Sequence, residues 1–175
     1  AGMEYPGLVT SLDRITTRKG EEAAINVVVH ELAHQWWYGM VGNNQVKEPW
    51  LDEGLTTFSE SLYMSEIEGR PERQLYRQAA VSSERVHDKK ELTVVQPVYE
   101  YPEQLYALMV YARPAAMMWE LSEQIGKEKV LDILHTYFER YRDKTAATDD
   151  FIQVANDVCG KDMSPFFDKW LYFRE

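Results

Sequence analysis

Two histidines four residues apart, His30 and His34, follow the largely apolar run AAINVVV, and they limit what this chain can become. Along an α-helix four residues advance about 6 Å and overshoot one turn by about 40°, so both imidazoles emerge on one face. One metal ion can be held there. Glu31 lies near the same face, close enough to reach a water on the ion without displacing either ligand. Eighteen residues separate His34 from Glu53 in WLDEGLTTFSE, and Glu53 supplies the third ligand that a catalytic zinc requires beside an open position. The bland alternative, two core histidines each satisfied by a backbone carbonyl, does not account for the coincidence of these rare residue types. A uniformly apolar helix is also the rigid platform that a geometry-sensitive site needs.

Composition narrows the setting. At 175 residues and 45% hydrophobic content the chain buries one sizeable core and is most simply a single domain. Within it, residues 1–70 carry an edge strand and the site helices, and residues 71–175 a helical lobe. A net charge of −10, from 29 acidic and 19 basic residues, argues against nucleic acid or an anionic membrane as partner and favours substrates bearing a positive amine. The single cysteine, Cys159, excludes an intrachain disulfide, and the paired cysteines of structural zinc sites are absent. No apolar run reaches the roughly 18 residues of a membrane span, and no signal peptide opens the chain. The sequence starts at AGMEYPG with a motif already under way, which reads as a piece excised from a longer polypeptide. The compartment therefore stays open.

In chain order, residues 1–10 read as one extended edge strand closed by the turn dipeptide Pro6-Gly7, and the polar stretch 11–20 as a surface loop. The histidine helix is expected from Glu21 to about Tyr38, with Glu21 and Glu22 in its first turn and Gly39 as a left-handed cap. Val41 to Pro49 reads as a loop, and Pro49 as the entrance to a second helix ending near Glu68. On that helix Glu53, Thr57 and Glu60 share one face. Glu60 then either accepts a hydrogen bond from the second nitrogen of a ligand histidine or is simply solvated, while Asp52 points away and is structural. Further amphipathic helices are expected over Glu72 to Lys90, with Leu75, Ala79 and Val86 inward and His87 facing water or the helix carbonyls, and over Lys127 to Arg142. Leu92 to Tyr101 breaks the helical period as a loop containing at most a short extended piece. Thr148 is expected to cap a helix over Asp149 to Val158, and Ser164-Pro165 to open a last one. Cys159 reads as buried rather than nucleophilic.

HELAHQWW followed by Glu53 in a WLDEG setting resembles the gluzincin metallopeptidases, specifically the alanyl aminopeptidase and leukotriene hydrolase family, and the resemblance covers nearly the whole chain. It implies a mainly α fold, α+β in the intact domain: a thermolysin-like zinc-helix core with an edge-strand remnant at the N-terminus, followed by a helical lobe. It implies one zinc ion on His30, His34 and Glu53, with Glu31 as general base and then acid. Gly2, Met3 and Glu4 match the latter part of the family's Gly-x-Met-Glu-Asn segment, which lies along the substrate, so Glu4 would bind the free α-amino group; Tyr5 replaces the usual asparagine. Tyr111 and Ala115 match the family's Val-Tyr-x-Lys-Gly-Ala, with Arg113 and Pro114 in place of Lys-Gly, which makes Tyr111 the oxyanion donor. Tyr106, Tyr101 and Tyr99 are reserves for that role. Tyr38 is larger than the family's usual residue, which implies an altered pocket floor.

The activity implied is hydrolysis of the N-terminal peptide bond by a zinc-activated water. Its partners would be peptides with a free N-terminus and the remaining domains of the parent polypeptide. A zinc endopeptidase, an epoxide hydrolase on the same site, and a non-catalytic binding module that keeps the fold remain as alternatives.

Overall fold

A computed structural model describes residues 2–11, 18–86 and 92–174. His87 lies outside them. The chain opens with strands β1 (Met3–Tyr5) and β2 (Leu8–Thr10), paired antiparallel with Glu4 opposite Val9. The expected single edge strand is therefore a hairpin. Pro6 and Gly7 make its two-residue turn, and Gly7 takes φ 74°, the positive value that the second corner of such a turn requires. Helix α1 (Arg18–Ala33) follows, then β3 (Val41–Asn43), α2 (Trp50–Glu66) and α3 (Glu72–Glu84). Two short 3-10 turns, Val98–Glu100 and Glu103–Leu105, lead into a π-helical turn, Leu108–Ala112, and so into α4 (Arg113–Ile125). The chain closes with α5 (Lys127–Tyr141), β4 (Lys144–Ala146), α6 (Thr148–Cys159) and α7 (Ser164–Leu171). The mainly α architecture that the resemblance implies is the one observed.

Helix α2 is the axis. It packs on α1, α3 and α4, and its residues Trp50, Leu51, Leu55 and Phe58 are fully buried in one core with Met117, Met118 and Leu121 of α4, Tyr137 of α5, and Phe151 and Phe167 beyond. Phe58 meets Trp119 edge to face at 5.1 Å, a favoured aromatic geometry. This core joins residues on both sides of position 70, so the site helices and the helical lobe share a single interior. Gly54 lets α2 and α4 touch: a Cβ there would lie 2.4 Å from Pro114 Cβ.

Several local expectations are corrected. Residues 41–43 are not loop: β3 pairs in parallel with β4, Val41 opposite Lys144 and Asn43 opposite Ala146, across about a hundred residues of chain. Thr148 does not cap α6 but is its first residue. Its backbone N–H, at 2.6 Å, and its hydroxyl both donate to Glu48 Oε2, and its Oγ1 accepts from Trp50 Nε1 at 3.0 Å. Among the described residues of the 92–101 stretch there is a 3-10 turn and no strand.

Arg113 is buried, and no described carboxylate pairs with it. It donates to the carbonyls of Trp170 at 2.7 Å and Lys169 at 3.1 Å, and its guanidinium lies over the rings of Phe173 at 4.0 Å and Trp170 at 5.0 Å. The cation thus ties the start of α4 to the carbonyl end of α7, where a helix dipole favours positive charge. Burial lowers its pKa to about 10.

Candidate functional site

Helix α1 ends one residue before His34. Gln35 N and Trp36 N each bond three residues back, at 3.0 Å, which tightens the last turn. His34 N still reaches His30 O at 3.3 Å, so the two imidazoles remain one turn apart, with ring centroids separated by 4.9 Å. Tyr38, not Gly39, then takes the positive φ, at 126°. Glycine is required at 39 for space, because a Cβ would lie 2.8 Å from Gln35 O. Tyr38 is not among the residues that line the cavity beside the two histidines.

From α2, Glu53 faces this turn. Its Oε2 lies 3.1 Å from His30 Nε2 and 3.1 Å from His34 Nε2. Ligands about 2.0–2.1 Å from a tetrahedral ion stand roughly 3.3 Å from one another, so this spacing is what such an ion needs. The donor set of two imidazoles and a carboxylate is also the one zinc accepts with a position left open. The far nitrogen of each ring is already engaged. His34 Nδ1 is 3.0 Å from Trp37 O and 3.1 Å from Thr56 Oγ1, and His30 Nδ1 is 3.3 Å from Glu60 Oε2. Partners on Nδ1 fix the ring orientation and leave Nε2 for the ion. Of the two readings of Glu60, solvated or turned to a histidine, the second has its geometry here.

The charges follow from these contacts. Burial works against an ionised Glu53, but hydrogen bonds from His30 and His34 outweigh it and hold the carboxyl down at about 2. Burial likewise pulls His30 down, yet hydrogen bonds with Glu53 and Glu60 bring it up to about 9. Glu31 is buried, and burial raises its carboxyl above the usual range, helped by the Glu4 and Glu53 carboxylates and opposed by the two imidazoles. Asp52 points away into a buried hydrogen-bonded corner, accepting from Asn43 at 2.9 Å and Gln45 at 2.8 Å.

Tyr111 comes from the π-helical turn. Its hydroxyl donates to Glu53 Oε1 at 2.7 Å, and its ring stacks 5.9 Å from that of His30. Burial, reinforced by the Glu53 carboxylate, pushes the phenol well up, so it stays a neutral donor. The reserve tyrosines are otherwise placed. Tyr101 donates to Val94 O at 2.5 Å, Tyr106 packs edge to face on Tyr111 at 6.1 Å, and Tyr99 is 77% exposed beside a different cavity.

Gly2, Met3 and Glu4 run along the rim of the same cavity, of about 390 Å³, which His30, Glu31, His34, Glu53, Glu60 and Tyr111 also line. Carboxylate oxygens of Glu4 and Glu31 and a ring nitrogen of His34 lie within 4.8 Å of one another. Gly2 lies so close over Glu31 that a Cβ would sit 2.1 Å from Oε1. The hairpin is fastened by a side chain that sequence reading passed over: Gln35 Oε1 accepts from Gly7 N at 2.8 Å, and its Nε2 donates to Tyr5 O at 3.3 Å. Thr56 and Asn26 were passed over too. The i, i+4 offset of Asn26 from His30 was their one available signal.

Residues 1–170 match the Peptidase family M1 domain. Leucine aminopeptidase 2 from Coccidioides immitis is 26% identical over 98% of this chain and 30% of its own length. Aminopeptidase N from Lactococcus lactis is 27% identical over 97% of this chain and 21% of its own. The present chain thus spans about a third or less of the curated relatives it matches. The fold also coincides with that of a mutant M1 zinc metallopeptidase from Deinococcus radiodurans, bound to Tyr-Ser-Ala, with a TM-score of 0.74 at 22% identity over 100% of this chain and 37% of that one. A family match along nearly the full chain, joined to the geometry of the two histidines and Glu53, makes this chain a member of peptidase family M1.

Proposed function

We propose that the site belongs to a zinc aminopeptidase that removes the N-terminal residue of peptides. The observation that carries this reading is the convergence of His30 Nε2, His34 Nε2 and Glu53 Oε2 beside the buried carboxylate of Glu31. These three side chains would hold one zinc ion, which would supply a Lewis acid for a peptide carbonyl and lower the pKa of water.

The chain's own groups do the rest. Glu31 takes the proton of the attacking water and returns it to the departing amine, base and acid in turn. Tyr111 donates to the carbonyl oxygen as that atom gains negative charge, turning its hydroxyl from Glu53 toward the substrate. Glu4 pairs with the α-ammonium, and Met3 and Gly2 lie along the chain that follows it. That pairing restricts attack to the first peptide bond, and it is what separates an aminopeptidase from an endopeptidase built on the same ligands. Glu60 holds the His30 ring.

The test is zinc stoichiometry together with hydrolysis of amino-acid anilides, free and N-acetylated, for the chain and for Glu31→Gln. We expect one zinc in both proteins, turnover of the free anilide only, and a fall of roughly 10²- to 10⁴-fold in Glu31→Gln. Equal hydrolysis of acetylated and free anilides would overturn the aminopeptidase reading. Zinc uptake unaffected by His30→Ala and Glu53→Ala would overturn the metal site itself.

A further inference from the structure

Three residues that line the catalytic cavity, Asn26, Glu60 and Tyr111, also line a second cavity of about 250 Å³ between α2, α3 and the start of α4. Its floor is apolar, with Met64, Leu75 and Ala79, and its polar wall carries Arg70, Gln78 and Ser82. Glu60 and Arg70 are the charged residues on it, and they differ in how they are engaged. Glu60 Oε2 is turned to His30 Nδ1 at 3.3 Å. Arg70 makes no ion pair with any described residue, in a chain with 29 acidic side chains and a net charge of −10. Asn26 Oδ1, on the wall common to both cavities, is buried with no hydrogen-bond partner. The half-buried, unpaired guanidinium is prepared for an anionic guest, and the Asn26 oxygen, an acceptor, for a donor such as a peptide N–H of the same guest.

The position of that guest along a substrate follows from the roles above, and the inference rests on the aminopeptidase reading. Glu4, which takes the α-ammonium, groups with Glu31 and His34 on one side of the site. Tyr111 and Glu60 stand on the other side, against His30. A peptide whose amine is held at Glu4 and whose first carbonyl is at the metal position must send its second residue toward Tyr111, and so toward the second cavity. We propose that this cavity receives the side chain of the substrate's second residue, and that Arg70 makes it selective for an acidic side chain there. A space of about 250 Å³ holds a glutamate side chain with water to spare, at roughly 30 Å³ per water. The planar guanidinium matches a carboxylate bidentately, and the apolar floor takes the methylenes.

The test measures binding, so that turnover is not needed. The zinc-loaded chain carrying Glu31→Gln is titrated calorimetrically with alanine anilide and with three dipeptide amides that begin with alanine and carry glutamate, glutamine or lysine second. Charge-assisted hydrogen bonding at a half-buried site implies that the glutamate peptide binds roughly 10- to 100-fold tighter than the lysine peptide. Adding Arg70→Gln brings that ratio close to one, and Arg70→Glu inverts it. If the anilide binds but the glutamate-to-lysine ratio is near one, or is unchanged by Arg70→Gln, the inference is wrong and the aminopeptidase reading stands. If neither the anilide nor any dipeptide binds, the aminopeptidase reading fails and takes this inference with it.

Discussion

Replacing Gly54 by alanine pits two opposing effects against each other, and the structure decides between them. Inside a helix the exchange favours alanine by about 1 kcal/mol, because glycine loses more backbone freedom on folding. At this position, however, the new Cβ would lie 2.4 Å from Pro114 Cβ and 3.1 Å from its Cγ. Carbon atoms pack at about 3.5–4.0 Å, so α2 and α4 must part by roughly 1 Å or more. The obstacle is a proline ring at the start of a buried helix, which has no rotamer to escape into. Overpacking of this kind costs about 1–3 kcal/mol, and the rigid ring argues for the upper half of that range. The expected net loss is about 1–2 kcal/mol. With a urea m-value of about 2 kcal/mol/M, the midpoint falls by roughly 0.5–1 M at unchanged slope. Glu53 precedes the substituted residue and Tyr111 lies three residues before Pro114, so the 2.7 Å contact between them should lengthen and anilide turnover should fall with stability. A Gly54→Ala protein as stable as the parent, or more stable, would refute the claim that α2 and α4 are in contact there.

Four further outcomes are expected. In the metal-free protein His30 titrates at about 9 against an ordinary 6.5, so the stability it contributes is complete below about pH 6.5 and is lost as pH rises through 9; melting temperatures across that window should fall, and a flat profile would contradict the contacts with Glu53 and Glu60. Glu53, held at about 2 against 4.5, acts oppositely: its contribution is present above pH 4.5 and is lost as pH drops toward 2, which an acid titration followed by circular dichroism should register. Glu60→Gln should weaken zinc binding about 10- to 100-fold in a competition with a chelator while leaving stoichiometry at one, because it loosens the His30 ring without removing a ligand. Gln35→Ala removes both bonds between the hairpin and the end of α1, so KM for free anilides should rise about tenfold with little change in kcat; an effect on kcat alone would show that Glu4 is not positioned through Gln35.

What could be read from the residues alone was whatever repeats at helical spacing or stands at a fixed offset along one helix. The face of α1 bearing His30 and His34 and the face of α2 bearing Glu53 and Glu60 are local facts, and helix geometry carries them into space unchanged. The parallel pairing of β3 with β4 could not be read in the same way. Each strand has three residues, too few to alternate, and what fixes the partner is the packing of α2 and α5, which lie between them in sequence, against the strands. Thr148 misled for a related reason. A threonine ahead of two aspartates has the profile of a cap, but a distant carboxylate, Glu48, already occupies the end of α6. Gly39 misled because glycine is used in two ways, for positive φ and for absence of bulk, and composition does not distinguish them. Gln35 has no signature at all, since an amide on a helix end is usually solvated.

The π-helical turn at Leu108–Ala112 holds a further implication, about residue count rather than residue identity. There Arg113 N bonds to Leu108 O, five residues back, so one more residue is wound into this turn than an ordinary helix would contain. Deleting a single position within it would restore regular winding and swing everything upstream by about 100° about the axis. The phenol would leave its carboxylate although no atom of it had changed. Where this hydroxyl aims is thus a matter of phase, written into the number of links in the chain, and a phase error is one that no point substitution at Tyr111 can introduce or mend.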